Sequence, residues 1–236
     1  MARLKLHLLG TPRIELDDTA VSTDRRKAVA LLAYLAVSGT PHSREALAAL
    51  LWPEADESSG LAYLRRTLWE LNQMLGEGRL EADRSQITLA AEADLWLDLR
   101  QALARFADPA DLAALADGAA LVRGGFMAGF TLRDAPAFDD WQRFQANQVQ
   151  HALDGALDAL AAGHAARGAW ETAVDHARRR VALDPLHEPA QRQLMGLYAQ
   201  MGQKSAALQQ FEACAQALQT ELGIPPEPET RALYEQ

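Results

Sequence analysis

The second half of the chain contains an internal repeat, which limits its fold more than any other feature of the sequence. Small and apolar residues recur when the sequence is shifted by 34 positions. The matched pairs are Leu160 with Leu194, Ala165 with Ala199, Gly168 with Gly202 and Ala173 with Ala207. A period of 34 residues with a small residue at each turn is typical of tetratricopeptide-like helical hairpins. Because such hairpins bury their apolar faces by stacking, residues 101–236 are predicted to form an all-α repeat domain.

The helices of this domain can be placed along the sequence. They are expected in DPADLAALADGAALV, from about Ala135 to Ala166, from Trp170 to the linker Leu183–Pro189, from there to the Gly223–Pro226 turn, and over Glu229–Gln236 as a cap. A glycine-rich, aromatic connection, GGFMAGF, precedes the long helix. The concave face of stacked hairpins normally binds protein segments or mediates self-association. A second interpretation stays open, in which the domain only packs against the first half of the chain.

The first hundred residues have a different pattern, with short strands at both ends and helices between them. Alternating apolar residues over Leu4–Leu8 and Arg13–Leu16 predict a small antiparallel sheet. The three helices that follow are expected from an N-cap at Thr23 or Asp24 to Gly39, from an N-cap at Ser43 to Pro53, and over residues 57–76. Strands over Leu80–Ala82 and Gln86–Leu89 then form a tight hairpin around Asp83-Arg84-Ser85.

This order of elements is that of a winged helix-turn-helix domain with an extra N-terminal sheet. In a winged helix the third helix docks in the DNA major groove, and the hairpin reaches flanking phosphates or the minor groove. The predicted fold class is therefore mainly α with a small β component, with a winged helix followed by an all-α repeat domain.

The third helix has one apolar stripe and one polar face. The stripe consists of Leu61, Leu64, Leu68, Leu71 and Leu75, at spacings of three and four residues. We expect the DNA-contacting end of the polar face to run from Ser58 to Thr67, whereas Trp69 and Glu70 suit packing or protein contact better. Any surface helix has a polar face, so this pattern alone does not establish DNA binding.

Cationic and small polar residues near the starts of the three helices and in the hairpin are the candidate DNA contacts. Base edges accept contacts from arginine and small polar side chains, and phosphates accept contacts from arginine and lysine. The predicted set is Arg25, Arg26, Lys27, Ser43, Arg44, Ser58, Ser59, Tyr63, Arg65, Arg66, Thr67 and Arg84. Each of these charges is individually as typical of a solvated surface, and their convergence on one face is an expectation from the fold.

The composition indicates the compartment in which the protein works, and its charge limits how strongly the chain could bind DNA. Of the 236 residues, 49% are hydrophobic and 23% charged, which is typical of a globular chain, and no apolar run reaches the length of a membrane span. One cysteine, Cys214, argues against a disulfide framework and for a reducing compartment, so a cytoplasmic protein without membrane contact is expected. The net charge is −9, divided as −3 over residues 1–100 and −6 over residues 101–236. DNA contact therefore has to come from local cationic clusters.

The motifs of common enzymes and metal sites are missing from the sequence. There is no GxxxxGK phosphate loop and no GxSxG nucleophile turn. His151, His164 and His176 are separated by 13 and 12 residues, unlike the i, i+4 pair of a zinc-binding helix. We expect no cofactor, no metal and no enzymatic activity, with solvated carboxylates and a core position for Cys214.

Four segments together resemble the bacterial transcriptional activator domain proteins of the antibiotic-regulatory type. They are RRKAVALLAYLAVSG, SREALAALLWPEAD, LAYLRRTLWELNQMLG and LDPLHEPAQRQLMGLYAQMGQKSAALQQFEACAQALQTELGIPPEPET. The resemblance implies a winged-helix domain over residues 1–100 and a tetratricopeptide-like activator domain over residues 101–236. By position it puts the recognition helix at residues 57–76 and the wing at residues 79–89. Where members of the family often carry a second basic cluster, this chain has Trp69, Glu70 and Asn72.

The sequence thus predicts a transcription activator that binds double-stranded promoter DNA through the winged helix. The resemblance implies direct-repeat sites and contact with RNA polymerase, and the helical domain is expected to mediate that contact or homodimerisation. Two alternatives stay open. One is a signalling scaffold whose winged helix binds protein, which the acidic balance and the acidic stretch Glu54–Glu57 favour. The other is the N-terminal part of a larger, ATPase-containing regulator.

Overall fold

The computed structural model describes residues 3–90 and 94–236, which hold seven strands and ten helices. The strands are β1 (Leu4–His7), β2 (Arg13–Leu16), β3 (Thr19–Val21), β4 (His42–Ser43), β5 (Leu80–Ala82), β6 (Gln86–Leu89) and β7 (Leu95–Leu97). The helices are α1 (Arg26–Ser38), α2 (Arg44–Leu51), α3 (Glu57–Leu75), α4 (Asp98–Arg105), α5 (Leu112–Leu121), α6 (Pro136–Ala166), α7 (Trp170–Leu183), α8 (Glu188–Gln200), α9 (Lys204–Glu221) and α10 (Pro228–Glu235).

The chain divides into two compact units by its internal contacts. The first unit consists of Met1–Ala104 and Ala120–Val149, and the second of Arg105–Ala119 and Gln150–Gln236. Residues 120–149 thus lie with the winged-helix part, although they follow the boundary expected at residue 100. That boundary, as a division of function, stays a prediction.

The expected N-terminal antiparallel sheet is present and has one additional strand. β1 pairs with β2, and β2 with β3, all antiparallel, around a turn in which Asp17 and Asp18 both have positive φ. The fourth strand, β7, pairs with β1 in parallel. This pairing joins residues some 90 positions apart, so the local alternation of apolar residues carries no signal for it.

Helices α1 and α2 begin and end at residues with the expected chemistry, with one exception. Gly39 ends α1 in the left-handed conformation, with φ of 63°. Ser43 caps α2 by accepting a hydrogen bond from the Ala46 N–H at 3.1 Å. The N-cap of α1, however, is Arg25, and the expected cap at Thr23 or Asp24 is wrong. The Thr23 hydroxyl accepts from the Arg25 N–H instead, which fixes the turn before the helix.

The hairpin after α3 forms as expected from β5 and β6, and β4 completes a three-stranded sheet in the order β4-β6-β5. Strand β4 was not expected, because two residues are too few to show a period. The helices α1, α2 and α3 followed by this hairpin form a winged helix, so that part of the predicted fold is confirmed.

Helix α4 and its buried Asp98 were not anticipated from the sequence. The Asp98 carboxylate accepts hydrogen bonds from the backbone N–H groups of Leu8 and Leu9 at 2.8 and 2.9 Å, and Arg123 lies 3.5 Å away. It therefore caps the end of β1 and ties α4 to the sheet. The expectation that the carboxylates are solvated is wrong here, because this one replaces a missing strand partner.

The second unit is all-α and follows the 34-residue repeat. Helices α6 and α7, and then α8 and α9, are joined at Gly168 and Gly202, whose φ angles are 75° and 73°. The paired Leu160 and Leu194 are both buried. The predicted long helix, repeat turns and closing helix α10 are thus confirmed.

Two buried charged groups hold the repeat helices together. Arg180 on α7 donates to Asp154 at 2.7 and 3.1 Å and to Asp158 at 2.5 Å. Glu188 on α8, also buried, accepts from the Glu227 N–H and the Thr230 hydroxyl, which fastens α10. Glu188 is a second exception to the expected solvation of carboxylates.

Cys214 lies in the core of this unit, as expected, and burial raises the pKa of its thiol to about 11. Among residues 3–90 and 94–236, the structure has no helix with both the length and the apolar character to span a bilayer.

Candidate nucleic-acid interface

The start of α3 is organised by one carboxylate. Asp56 is the N-cap, and it accepts hydrogen bonds from the Ser59 N–H at 3.0 Å and from the hydroxyls of Ser58 and Ser59 at 2.7 Å each. These bonds, led by the one from the Ser59 hydroxyl, hold the pKa of Asp56 far below its ordinary value. Ser58 and Ser59, both candidate contacts, thus direct their hydroxyl protons at Asp56 and keep only their oxygen lone pairs for another partner.

The inner face of α3 anchors it in the first unit. Leu64, Leu68, Leu71 and Leu75 are buried, as the apolar stripe predicts, and Leu61 is half-buried. Thr67, a candidate contact, is only 7% exposed because it lies on the flank that faces the protein. Thr67 therefore has little surface left for contact with another molecule.

The outer face of α3 presents two arginines in different settings. Arg65 is exposed and has no hydrogen bond or ion pair with any residue that the structure describes. Arg66 has a 68% exposed side chain whose Nε lies 3.2 Å from Glu70 Oε1. The guanidinium of Arg65 is thus the freer of the two to bind another molecule.

Two aromatic side chains accompany these arginines on α3. Tyr63 is 49% exposed, and its ring lies 6.2 Å from that of Trp52. Trp69 is 63% exposed. The sequence suggested packing or protein contact for Trp69, and most of its side chain is accessible in the structure.

The three cations at the start of α1 lie beside this flank of α3 but are largely engaged. Arg26 donates two hydrogen bonds to the Thr131 carbonyl oxygen, at 3.1 and 2.7 Å, and its guanidinium lies 4.5 Å from the Phe130 ring centre. The Lys27 ammonium is 2.7 Å from Asp134, whose pKa this hydrogen bond lowers. Both cations therefore fasten the segment before α6.

Arg25, in contrast, turns toward α3. Its Nη2 lies 3.5 Å from Glu70 Oε1, the oxygen that Arg66 also approaches. The structure thus brings Arg25 and Arg66 together around one carboxylate.

An open cleft of about 800 Å³ separates α3 from the segment before α6. Five cations and three carboxylates line it, which leaves a local charge of +2 in a chain of net charge −9. The charged lining residues are Asp24, Arg25, Arg26, Lys27, Arg66, Glu70, Arg133 and Asp134. The cleft is a positive region on an acidic molecule.

Two candidate arginines lie at the turn of the wing, Arg44 from the start of α2 and Arg84 from the hairpin itself. Arg44 donates from its backbone N–H to Ser85 and from Nε to the Asp83 carbonyl, so it holds the hairpin turn in place. Asp83 accepts from the N–H groups of Gln86 and Ser85, and these bonds lower its pKa. Arg84 is exposed at the tip. Ser43, the remaining candidate, has its hydroxyl oxygen occupied as the cap of α2.

The residues before α6 were missed as part of this surface. Thr131, Arg133 and Asp134 line the cleft, and Leu132 is buried beneath them. Hydrogen bonds from Gln142 to the carbonyl oxygens of Met127 and Phe130 hold the segment in place. It lies about 70 residues from α3 in the sequence and has no periodic pattern, so sequence analysis had no signal for its position.

Within residues 3–90 and 94–236, no group of three or more histidine, cysteine or acidic side chains is arranged to hold a metal ion. The stacked pair His164 and His176, with ring centres 5.4 Å apart, is the nearest approach of two histidines among the ring contacts. Burial lowers the pKa of His176, and the neighbouring His164 adds to that effect.

Comparison with known proteins identifies a family and a protein of related fold. Residues 94–236 match the family model for the bacterial transcriptional activator domain. Among solved structures, Mycobacterium tuberculosis EmbR in complex with a low-affinity phosphopeptide aligns with a TM-score of 0.78 and 24% identity. The alignment covers 100% of this chain and 65% of EmbR, so the chain spans about two thirds of that protein's length. No curated protein matched the chain significantly.

The EmbR alignment shows a shared fold over the winged helix and the helical unit. The family model covers more than half of the chain, including all of α4 to α10 and the segment before α6 that lines one side of the cleft. Taken with the winged helix in front of it, the match settles the family. The chain belongs to the bacterial transcriptional activator domain family.

Proposed function

We propose that this chain is a DNA-binding transcription activator whose winged helix contacts promoter DNA through α3 and the hairpin wing. The observation that carries the proposal is the outer face of α3, which is anchored by a buried leucine stripe and presents Arg65 and Arg66 to solvent. A helix anchored in this way enters the major groove in winged-helix proteins, and arginine is the side chain that most often reads guanine there.

The exposed cations divide into two groups by their settings. Arg65, free on the outer face, is the proposed base contact. Arg66, Arg25 and Arg84 are the proposed phosphate contacts, because they flank α3 or stand at the wing tip. Phosphate contacts set the register of the helix, and base contacts set the sequence that it prefers.

Arg26, Lys27 and Arg44 have a supporting role in this proposal. Their side chains hold the segment before α6 and the wing turn, so they add to the local positive potential while their hydrogen bonds stay internal. The cleft charge of +2 is what attracts a phosphate backbone to a molecule that otherwise repels it.

The helical unit is proposed to act on other proteins in the cytoplasm. Stacked helical hairpins present a surface that binds protein segments, and a DNA-bound activator needs a contact with a second copy of itself or with RNA polymerase. Both remain proposals for α7 to α10.

A salt titration on duplex DNA of random sequence tests the proposal. The logarithm of the association constant should fall linearly with the logarithm of salt, by roughly 0.9 for each phosphate contacted. With Arg25, Arg66 and Arg84 as contacts, the slope of one bound copy should be about −2.7. Absence of binding at low salt would refute DNA binding.

A second candidate function is a protein-binding scaffold. The carboxylate of Asp56 at the tip of α3 and the overall charge of −9 both disfavour DNA. A scaffold would show no salt-dependent affinity for duplex DNA, so the same titration separates the two functions.

A further inference from the structure

Trp69 is an unusual tryptophan in this chain because most of its side chain is exposed among the residues that the structure describes. All five tryptophans lie in the described ranges, and the other four pack against neighbours. Trp52 contacts Tyr63, Trp96 contacts His7, Trp141 contacts Tyr34, Phe126 and Phe138, and Trp170 packs on the repeat core. Trp69 is 63% exposed and has no ring contact with a described residue.

The position of Trp69 on α3 connects it with the proposed base contact. Arg65 lies four residues before it and Gln73 four residues after it, so the three share one stripe of the helix, and all three are exposed. The leucine stripe that anchors α3 lies on the inner face of the helix. An α3 in the major groove would therefore carry the indole ring toward the bases together with Arg65.

We propose that Trp69 reads a thymine by packing its indole ring against the C5 methyl group in the major groove. This inference rests on the proposed DNA binding. The thymine methyl is the apolar group that base pairs display in that groove, and apolar side chains recognise it by contact. Gln73, on the same stripe, has the amide that pairs with adenine, so the stripe as a whole suits a site that contains A·T pairs.

The charges near Trp69 suit contact with a nucleic acid better than contact with a neutral protein surface. Glu70, its neighbour in sequence, is only 20% exposed at its side chain and is neutralised by Arg25 and Arg66. The unpaired charge on the same stripe of the helix is thus the guanidinium of Arg65. An arginine and a tryptophan on one stripe of the helix suit a DNA site in which a guanine lies near a thymine.

Helix geometry limits where the thymine lies. Four residues of helix advance about 6 Å, and successive bases of a strand are about 3.4 Å apart. The thymine read by Trp69 should therefore fall within about two base-pair steps of the base read by Arg65.

The test removes the C5 methyl group of one thymine at a time. Bound sequences are first selected from random duplexes with the whole chain, and each thymine of the selected site is then changed to deoxyuridine. The base keeps its pairing and loses only the methyl group. Affinities are measured for the wild type, Trp69→Ala and Trp69→Leu, with Phe144→Ala as a matched control, since Phe144 is a 58% exposed aromatic on α6.

We expect one or two thymines at which deoxyuridine weakens wild-type binding roughly fourfold, the effect of removing one buried methyl group. Trp69→Ala should show no loss at those positions, Trp69→Leu a partial loss, and Phe144→Ala the wild-type loss. Circular dichroism spectra that match the wild type will show that the variants are folded.

Two results would overturn the inference while DNA binding stands. One is a wild type that is insensitive to deoxyuridine at every position. The other is a Trp69→Ala variant that keeps both the wild-type affinity and the sensitivity to the methyl group, which would assign the ring to a protein partner. Failure to select any bound sequence would instead refute the proposed function itself.

Discussion

At the scale of single residues, two adjacent arginines have unequal freedom. Arg65 has no partner among the described residues, whereas Arg66 shares Glu70 with Arg25. A guanidinium that already has a carboxylate partner gives up part of that interaction to bind a new anion. Adjacent residues of one helix can thus differ in role even though the sequence presents them as a pair.

The two arginines should therefore respond differently to substitution. We expect Arg65→Ala to weaken binding to the selected site by about 1–3 kcal/mol and to relax the preference at one base pair. Arg66→Ala should weaken binding to all sequences alike and reduce the salt slope by about 1. Fluorescence anisotropy on matched and mismatched duplexes measures both effects.

Arg167→Ala serves as the control for these arginines, because Arg167 is an exposed arginine of the helical unit. It should leave the affinity and the salt slope of the wild type unchanged. Unaltered binding in both Arg65→Ala and Arg66→Ala would remove α3 as the reading helix.

Asp56 at the start of α3 should make the stability of the fold depend on pH. Its folded-state pKa lies below the ordinary 3.8, chiefly through the hydrogen bond from the Ser59 hydroxyl. A depressed pKa contributes stability that is present above the unfolded-state value and is lost as the pH falls through the folded-state value. Because Asn also caps helices but does not titrate, Asp56→Asn should remove this part of the pH dependence.

Urea unfolding midpoints of the wild type and Asp56→Asn between about pH 2.5 and 7 will test this. The difference between them should be constant above about pH 5 and shrink as the pH falls below about 4. Parallel curves over the whole range would show that folding does not lower the pKa of Asp56.

At the scale of elements, the helices of the winged helix and the repeat could be predicted because each carries its own local signal. The leucine spacing of α3, the Ser43 cap of α2 and the glycines at positions 39, 168 and 202 all act within a few residues of themselves. Such short-range causes are visible in a sequence.

The elements that sequence analysis missed all depend on distant partners. Strand β7 needs β1 to pair with, and the segment before α6 needs the cations of α1. Asp98 is buried only because two backbone N–H groups of the sheet require an acceptor. The candidate contacts were found by residue type, but which of them are free depends on these long-range contacts.

The repeat turns offer a test at this scale. Gly168 and Gly202 both adopt left-handed backbone conformations, with open space where a Cβ would lie. An alanine there would clash with no neighbour, so its only cost is the strain of a left-handed backbone. Each substitution should therefore lower the free energy of unfolding by about 1–2 kcal/mol.

Gly155→Ala is the matched control for these turns. Gly155 lies in the interior of α6 with equally open space and an ordinary helical backbone. Alanine should raise stability there by about 0.5–1 kcal/mol. Chemical denaturation followed by circular dichroism measures all three variants, and a stabilising Gly168→Ala or Gly202→Ala would contradict the assigned turn conformation.

At the scale of the whole molecule, the proposed DNA binding has to overcome the acidic charge of the chain. The net charge of −9 repels a duplex at long range, and the positive cleft and the free arginines act only over short distances. Binding of a single copy should therefore be weak. If two copies are joined through their helical units, the second copy binds at a high effective concentration once the first is bound. The pair should therefore bind more tightly than a single copy.

Cooperation between two copies depends on the helical phase of the DNA. If two copies bind direct repeats and touch one another, their half-sites should be about 10–11 base pairs apart, so that both lie on one face of the duplex. Inserting 5 base pairs turns the second site to the opposite face and should abolish cooperative binding, whereas inserting 10 should restore part of it.

Titrations resolved on native gels will count the copies bound to each spacing. A duplex with one half-site sets the affinity of a single copy, which the insertions should leave unchanged. Equal affinity at all spacings would show that the copies bind independently, and the helical unit would then have to contribute to activation through RNA polymerase instead of through a second copy.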